Sequence, residues 1–98
     1  CARQEMIERC NGGLRVTVPM TMANARGLLD AGRSALQAGE QVVDLSAVVE
    51  VDSSAIATML GWLREADRVR STLKFKAIPP AVLSLAEVYG VSELLPRA

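Results

Sequence analysis

The chain has 98 residues, half of them hydrophobic but only three aromatic, with eleven basic side chains balancing eleven acidic ones and no histidine. A chain of this length makes one domain and buries about two thirds of its unfolded surface, so residues 1–98 are read as a single domain with a core of Val, Leu, Ile, Ala and Met. Balanced charge argues against nucleic acid, whose phosphates need clustered Lys and Arg, and the lack of histidine removes the commonest general base and any Ser-His-Asp arrangement.

Glu5 to Cys10 reads as a strand, Asn11-Gly12-Gly13 as a hairpin turn, and Leu14 to Val18 as a second strand in which Leu14, Val16 and Val18 alternate with Arg15 and Thr17. Pro19 ends it. Thr21 or Asn24 caps a first helix with Ala25, Leu28, Leu29, Gly32, Ala35 and Leu36 on one face, and Gly39 stops that helix. Gly27 and Gly32 inside it suggest close packing on the sheet. Val42 to Leu45 is a short buried strand. From Ser54 the period changes, and Ile56, Met59, Leu60, Leu63 and Ala66 recur at three- and four-residue intervals in a second helix capped by Asp52 or Ser53. Leu73 to Ala77 makes another strand, with Lys74 and Lys76 on its solvated side. Pro79-Pro80 opens a third helix with Val82, Leu85, Ala86 and Tyr89 as its buried stripe; Gly90-Val91 closes it as a Schellman cap, and Ser92 starts a last turn. The order β-β-α-β-α-β-α predicts an α/β fold with a four-stranded mixed sheet, an antiparallel opening hairpin joined to parallel strands, covered by helices.

At about 100° per residue, the second helix places Ile56, Leu60, Leu63, Met59, Ala66 and Ala55 in its core arc with Trp62 at the margin. The opposite side holds Ser54, Thr58, Gly61 and Glu65, small groups with a single charge, which suggests a surface that a partner protein can approach closely. Ser53 has two readings: a helix cap, or a hydroxyl on an exposed turn that is phosphorylated or pressed into a partner. Asp52 beside it fits capping better than general-base work. Cys1 and Cys10 are too few to staple a fold and complete no metal site, so reduced thiols in a cytosolic protein are expected. The glycines lack the spacing of a phosphate loop, and no cofactor is expected. No apolar run approaches the roughly 18 residues that span a bilayer, so no direct membrane insertion is expected either.

Asp44-Leu45-Ser46, followed by Val51-Asp52-Ser53-Ser54 opening a helix, resembles the signature of STAS domains, and the ending Ala86 to Val91 followed by Leu94-Leu95-Pro96-Arg97 is similar to the MlaB-type subunits of phospholipid transporters. The sequence departs from the family in having Ala55 where Gly is usual. The resemblance implies a non-catalytic, cytosolic subunit, peripheral to the inner membrane of a bacterium, that binds an MlaF-like ATPase of an ABC transporter and so supports phospholipid movement that maintains outer-membrane lipid asymmetry. It implies docking through Ser53 together with Asp52, Ser54, Thr58, Gly61, Trp62 and Glu65. The alternative it carries is an anti-sigma-factor antagonist switched by an anti-sigma kinase that phosphorylates Ser53.

Overall fold

Side chains that alternate between buried and exposed build the sheet, and three- to four-residue spacing of apolar positions builds the helices that cover it. The computed structural model describes residues 2–3, 6–10, 13–37, 39 and 41–96. They form β1 (Ala2–Arg3), β2 (Ile7–Cys10), β3 (Gly13–Val16), α1 (Met22–Gln37), β4 (Val42–Asp44), α2 (Ser53–Arg68), β5 (Lys74–Lys76), α3 (Pro80–Val88) and a closing 3₁₀ turn at Ser92–Leu94. The expected start of the first strand at Glu5, the turn at Asn11-Gly12 and Cys1 lie outside the described residues.

Strand order in the sheet follows chain order, β1-β2-β3-β4-β5. The first two pairings are antiparallel and the last two parallel. The expected four-stranded mixed sheet is therefore present, with the two-residue β1 added at its edge. Ile7, Leu14, Val16, Val43 and Phe75 enter one core with the inner sides of the helices. On the open face, register brings Glu8 opposite Arg15, Arg15 opposite Asp44 and Asp44 opposite Lys76. This row of alternating charge, closed on one side by the Arg15 to Glu8 ion pair, suits a solvated face. At the β5 edge the Phe75 N–H donates to the Pro96 carbonyl at 2.8 Å, and Leu95 is buried beneath it. The C-terminal segment thus covers a strand edge that would otherwise offer free backbone groups.

The helices meet in a tight seam. Trp62 of α2 is fully buried and its indole N–H donates to the Leu28 carbonyl of α1 at 3.1 Å. Gly32 makes room for it, because a Cβ there would lie 2.1 Å from the indole nitrogen. Gly61 of α2 faces Leu29 in the same way. The closely packed glycine of α1 therefore lies against a helix, not the sheet, and Gly27 lies against Met6.

This seam corrects the expected phase of α2. Ala55, Ile56, Met59 and Ala66 are buried as read, but so are Thr58, Trp62 and Glu65, whereas Leu60 and Leu63 are only partly buried. The helix packs on the sheet and on α1 together, so its buried arc is wider than one stripe and is turned toward Trp62. Tyr89 is a second correction: it is 54% exposed, and Val82 and Ala86 alone form the fully buried positions of α3. The Schellman closure holds, with Val91 N–H on the Ala86 carbonyl at 2.9 Å and Gly90 at φ 70°.

Candidate functional site

All three parallel strands point their C-terminal ends the same way, and in open α/β sheets ligands gather at that edge. The loops that follow β3 and β4 are zipped together there. Met20 N–H donates to the Glu50 carbonyl at 2.9 Å and Asp52 N–H to the Met20 carbonyl at 3.2 Å, which forms a parallel bridge between Met20 and Val51. The bridge sets the N-termini of α1 and α2 side by side.

Asp52 serves both of them. One carboxylate oxygen accepts the Ser54 N–H at 2.8 Å and the Ser54 hydroxyl; the other accepts the Met22 N–H, the first amide of α1, at 3.0 Å. Of the two candidates for the α2 cap, Asp52 is the cap. The first amide of α1 takes its acceptor from Asp52, while the Asn24 side chain donates to the Pro19 carbonyl at 2.9 Å. Hydrogen bonds from the Ser54 hydroxyl, then from the Met22 and Ser54 amides, hold the Asp52 carboxyl below its ordinary value. A carboxylate so occupied is a poor general base.

Ser53 is the first residue of α2 and is exposed. Among the described residues its hydroxyl makes no hydrogen bond, so it stands free at a helix N-terminus. Two large apolar side chains are exposed in the adjoining segments: Val49 at 92% and Met22 at 77%. Met22 is tied to the site by its amide bond to Asp52. An open hydroxyl beside exposed apolar groups is the chemistry of a protein contact surface.

The remaining expected contact residues divide. Ser54 lies beside Asp52 and is half-buried. Thr58, Trp62 and Glu65 are buried, and Gly61 abuts Leu29. This overturns the expectation of an outward stripe at Thr58, Gly61 and Glu65. The Glu65 carboxylate has its partners across the seam: it accepts from Gln37 at 3.1 Å and Arg33 at 3.3 Å, both on α1, and from Arg68 one turn along α2. The Arg68 hydrogen bonds, with those of Gln37 and Arg33, outweigh burial and lower its pKa to about 2. The outward positions of α2 are instead Ser53, Ala57, Arg64, Asp67 and, in its last turn, Arg68, with Leu60 partly covered among them. Their spacing of three and four marks one face, which a wider buried arc on the sequence wheel would have located. Among the described residues no group of His, Cys, Asp and Glu could hold a metal ion, and no helix is long and apolar enough to cross a membrane.

A mixed sheet under helices, with a hydroxyl presented at the start of the helix that follows its central strand, defines a STAS-type domain. The family model described as "Mlab, STAS domain" matches residues 6–96, and the chain belongs to that family. No curated protein matches it. Among solved structures, it is similar to an anti-sigma factor antagonist from Thermotoga maritima, described as putative (TM-score 0.72, 11% identity, 93% of this chain and 82% of that one). It is also similar to a STAS domain protein from Planctomyces limnophilus, described as an anti-sigma-factor antagonist (TM-score 0.68, 18% identity, 93% and 87%). A third is the Bacillus cell fate determinant SpoIIAA in its phosphorylated form (TM-score 0.65, 15% identity, 94% and 88%). At these identities the likeness is one of fold. Proteins of this family are generally regulatory and non-catalytic.

Proposed function

We propose that this STAS domain is a non-catalytic subunit that docks onto the ATPase of an ABC transporter, peripheral to the bacterial inner membrane through that partner, and supports phospholipid transport that maintains outer-membrane lipid asymmetry. The observation that carries the docking reading is the free Ser53 hydroxyl at the start of α2, with Met22 and Val49 exposed in the adjoining segments, while Asp52 beside it is spent on two helix N-termini. A surface of this kind recruits a partner and leaves the chemistry to it. The MlaB-type description of the matching family is what supports taking a transporter ATPase as that partner.

A second reading, an anti-sigma-factor antagonist switched by phosphorylation of Ser53, draws on the likeness to SpoIIAA in its phosphorylated form and on the place of Ser53, where amides and the helix dipole favour a phosphate. Copurification from the source cell, paired with a kinase assay on the purified domain, separates the two. An ATPase in the eluate and no phosphate on Ser53 supports the subunit; a kinase in the eluate and a phosphorylated Ser53 overturns it. The isolated domain is expected neither to bind nor to hydrolyse ATP, which calorimetry checks; micromolar nucleotide binding would end the passive-subunit reading.

A further inference from the structure

The chain holds four methionines, and the fold treats them unequally. Met20 and Met59 lie in the core at 1% and 0% exposure, and Met6 packs against that core with its Sδ and Cε facing Gly27 of α1. Met22, the first residue of α1, is 77% exposed. Its amide donates to the Asp52 carboxylate at 3.0 Å, which anchors this residue at the junction that presents Ser53. A thioether is the group in such a side chain that hydroperoxides attack, and attack follows access. The fold therefore shields the sulfurs of the core and leaves the Met22 side chain in water.

We propose that Met22 is a reversible oxidation site that gates docking: hydrogen peroxide converts its thioether to the sulfoxide, and the sulfoxide form releases the partner that docks at Ser53. The gating half rests on the docking reading above. In the reaction the sulfur lone pair takes one peroxide oxygen; the S–O bond forms as the O–O bond breaks, and the departing hydroxide collects the proton left on the transferred oxygen and leaves as water. Sulfur is oxidised by two electrons and the peroxide is reduced. In the free protein the new oxygen stays hydrated, so the fold keeps its stability. Docking changes that balance, because a partner closing over Met22 strips water from a strong acceptor that then needs a donor. A seated partner in turn covers the sulfur and slows its oxidation. Val49, 92% exposed in the loop between β4 and α2, has no oxidisable atom, so part of the apolar contact survives and the effect is a weakening. Sulfoxide reductases, one for each epimer, return the side chain to methionine.

The test treats the purified protein, and its complex with the ATPase that copurifies with it, with dilute hydrogen peroxide and follows each methionine by peptide mass spectrometry. The expected result is Met22 sulfoxide formed at least tenfold faster than at Met20 or Met59, with melting unchanged, and formed at least fivefold more slowly in the complex. Affinity of the oxidised protein for the ATPase should fall at least fivefold and return after treatment with the two sulfoxide reductases, which leave cysteine lesions in place. Met22→Leu, whatever its own affinity, should show the same value before and after peroxide. Oxidation of Met22 no faster than of Met20 overturns the site. Selective oxidation that leaves affinity unchanged overturns the gate, and Ser53→Arg, measured in parallel, then decides the docking reading: loss of the ATPase keeps it, and full binding overturns it as well. Loss of affinity on oxidation with full binding by Ser53→Arg supports the gate and moves the docking surface to Met22. Absence of any copurifying ATPase overturns both the gate and the docking reading.

Discussion

Gly32→Ala sets two effects of opposite sign against each other. In an exposed helix interior the change would stabilise by about 1 kcal/mol through helix propensity. At this seam the new Cβ would lie 2.1 Å from the Trp62 indole nitrogen and 2.4 and 2.7 Å from its ring carbons, well inside the roughly 3.5 Å of ordinary contact. The ring is rigid and fully buried, so either the helices part or the indole moves. Overpacking of this kind costs about 1–3 kcal/mol, and pulling the indole N–H from the Leu28 carbonyl strands a buried donor at about 1–3 kcal/mol more. After the propensity gain, the net loss is about 1–5 kcal/mol, centred near about 3 kcal/mol, which is about 12–24 °C in Tm for a domain of this size. Gly27→Ala is the internal control. Its Cβ would meet the Met6 Cε and Sδ at 2.8 Å, the free end of a flexible side chain that can swing away, so the variant should stay within about 1 kcal/mol of wild type. Urea titration of both variants reads the difference; a Gly32→Ala protein as stable as wild type would refute the seam.

Thr58→Arg and Gly61→Arg should each cost at least about 3 kcal/mol, because one buries an unpaired charge and the other drives a chain into Leu29; normal melting of either would put α2 back in its sequence-predicted phase. Glu65 has a folded pKa of about 2 against an ordinary 4.5, so its ionised form is favoured by folding. The stability it adds is full above pH 4.5 and is lost as pH falls toward 2. Glu65→Gln should flatten that acid limb in denaturant titrations run from pH 5 to pH 2.5. Arg70 closes α2 at φ 57°, a left-handed conformation that costs a non-glycine residue about 1–2 kcal/mol. Allowing for the greater unfolded-state entropy of glycine, Arg70→Gly should gain about 0.5 kcal/mol and raise Tm by about 2–4 °C; a lower Tm would show that the Arg70 side chain stabilises the fold.

The element order and strand directions were legible because each element carries a local signal: alternation around Leu14 and Val16, a β-branched run at Val42-Val43, prolines opening α3, Gly90 closing it. The phase of α2 was not, and the reason is physical. Its apolar residues occupy two sides, Ile56, Met59 and Trp62 on one and Leu60 and Leu63 on another, so a single best arc falls between them. Glu65 was assigned to solvent because charge is rarely buried unpaired, yet its partners Arg33 and Gln37 sit 32 and 28 residues away in sequence, where periodicity says nothing about them. One signal was present: the chain's one tryptophan and the glycines inside its two long helices fit a helix seam in which an indole fills the gap opposite a missing Cβ. At the site the motif located Asp52 and Ser53, but not the reach of Asp52 to the α1 amide at Met22, which depends on the bridge between two loops thirty residues apart.

That reach bears on what Ser53 can do. With both Asp52 oxygens engaged, withdrawing the carboxylate to activate the neighbouring hydroxyl would uncap α1 and α2 together, at the junction from which their buried seam runs. The fold therefore opposes any use of Asp52 as a base. Ser53 is left as an exposed hydroxyl without a hydrogen-bond partner among the described residues, at the first position of α2. On the docking reading, chemistry performed on Ser53 is supplied by the bound partner.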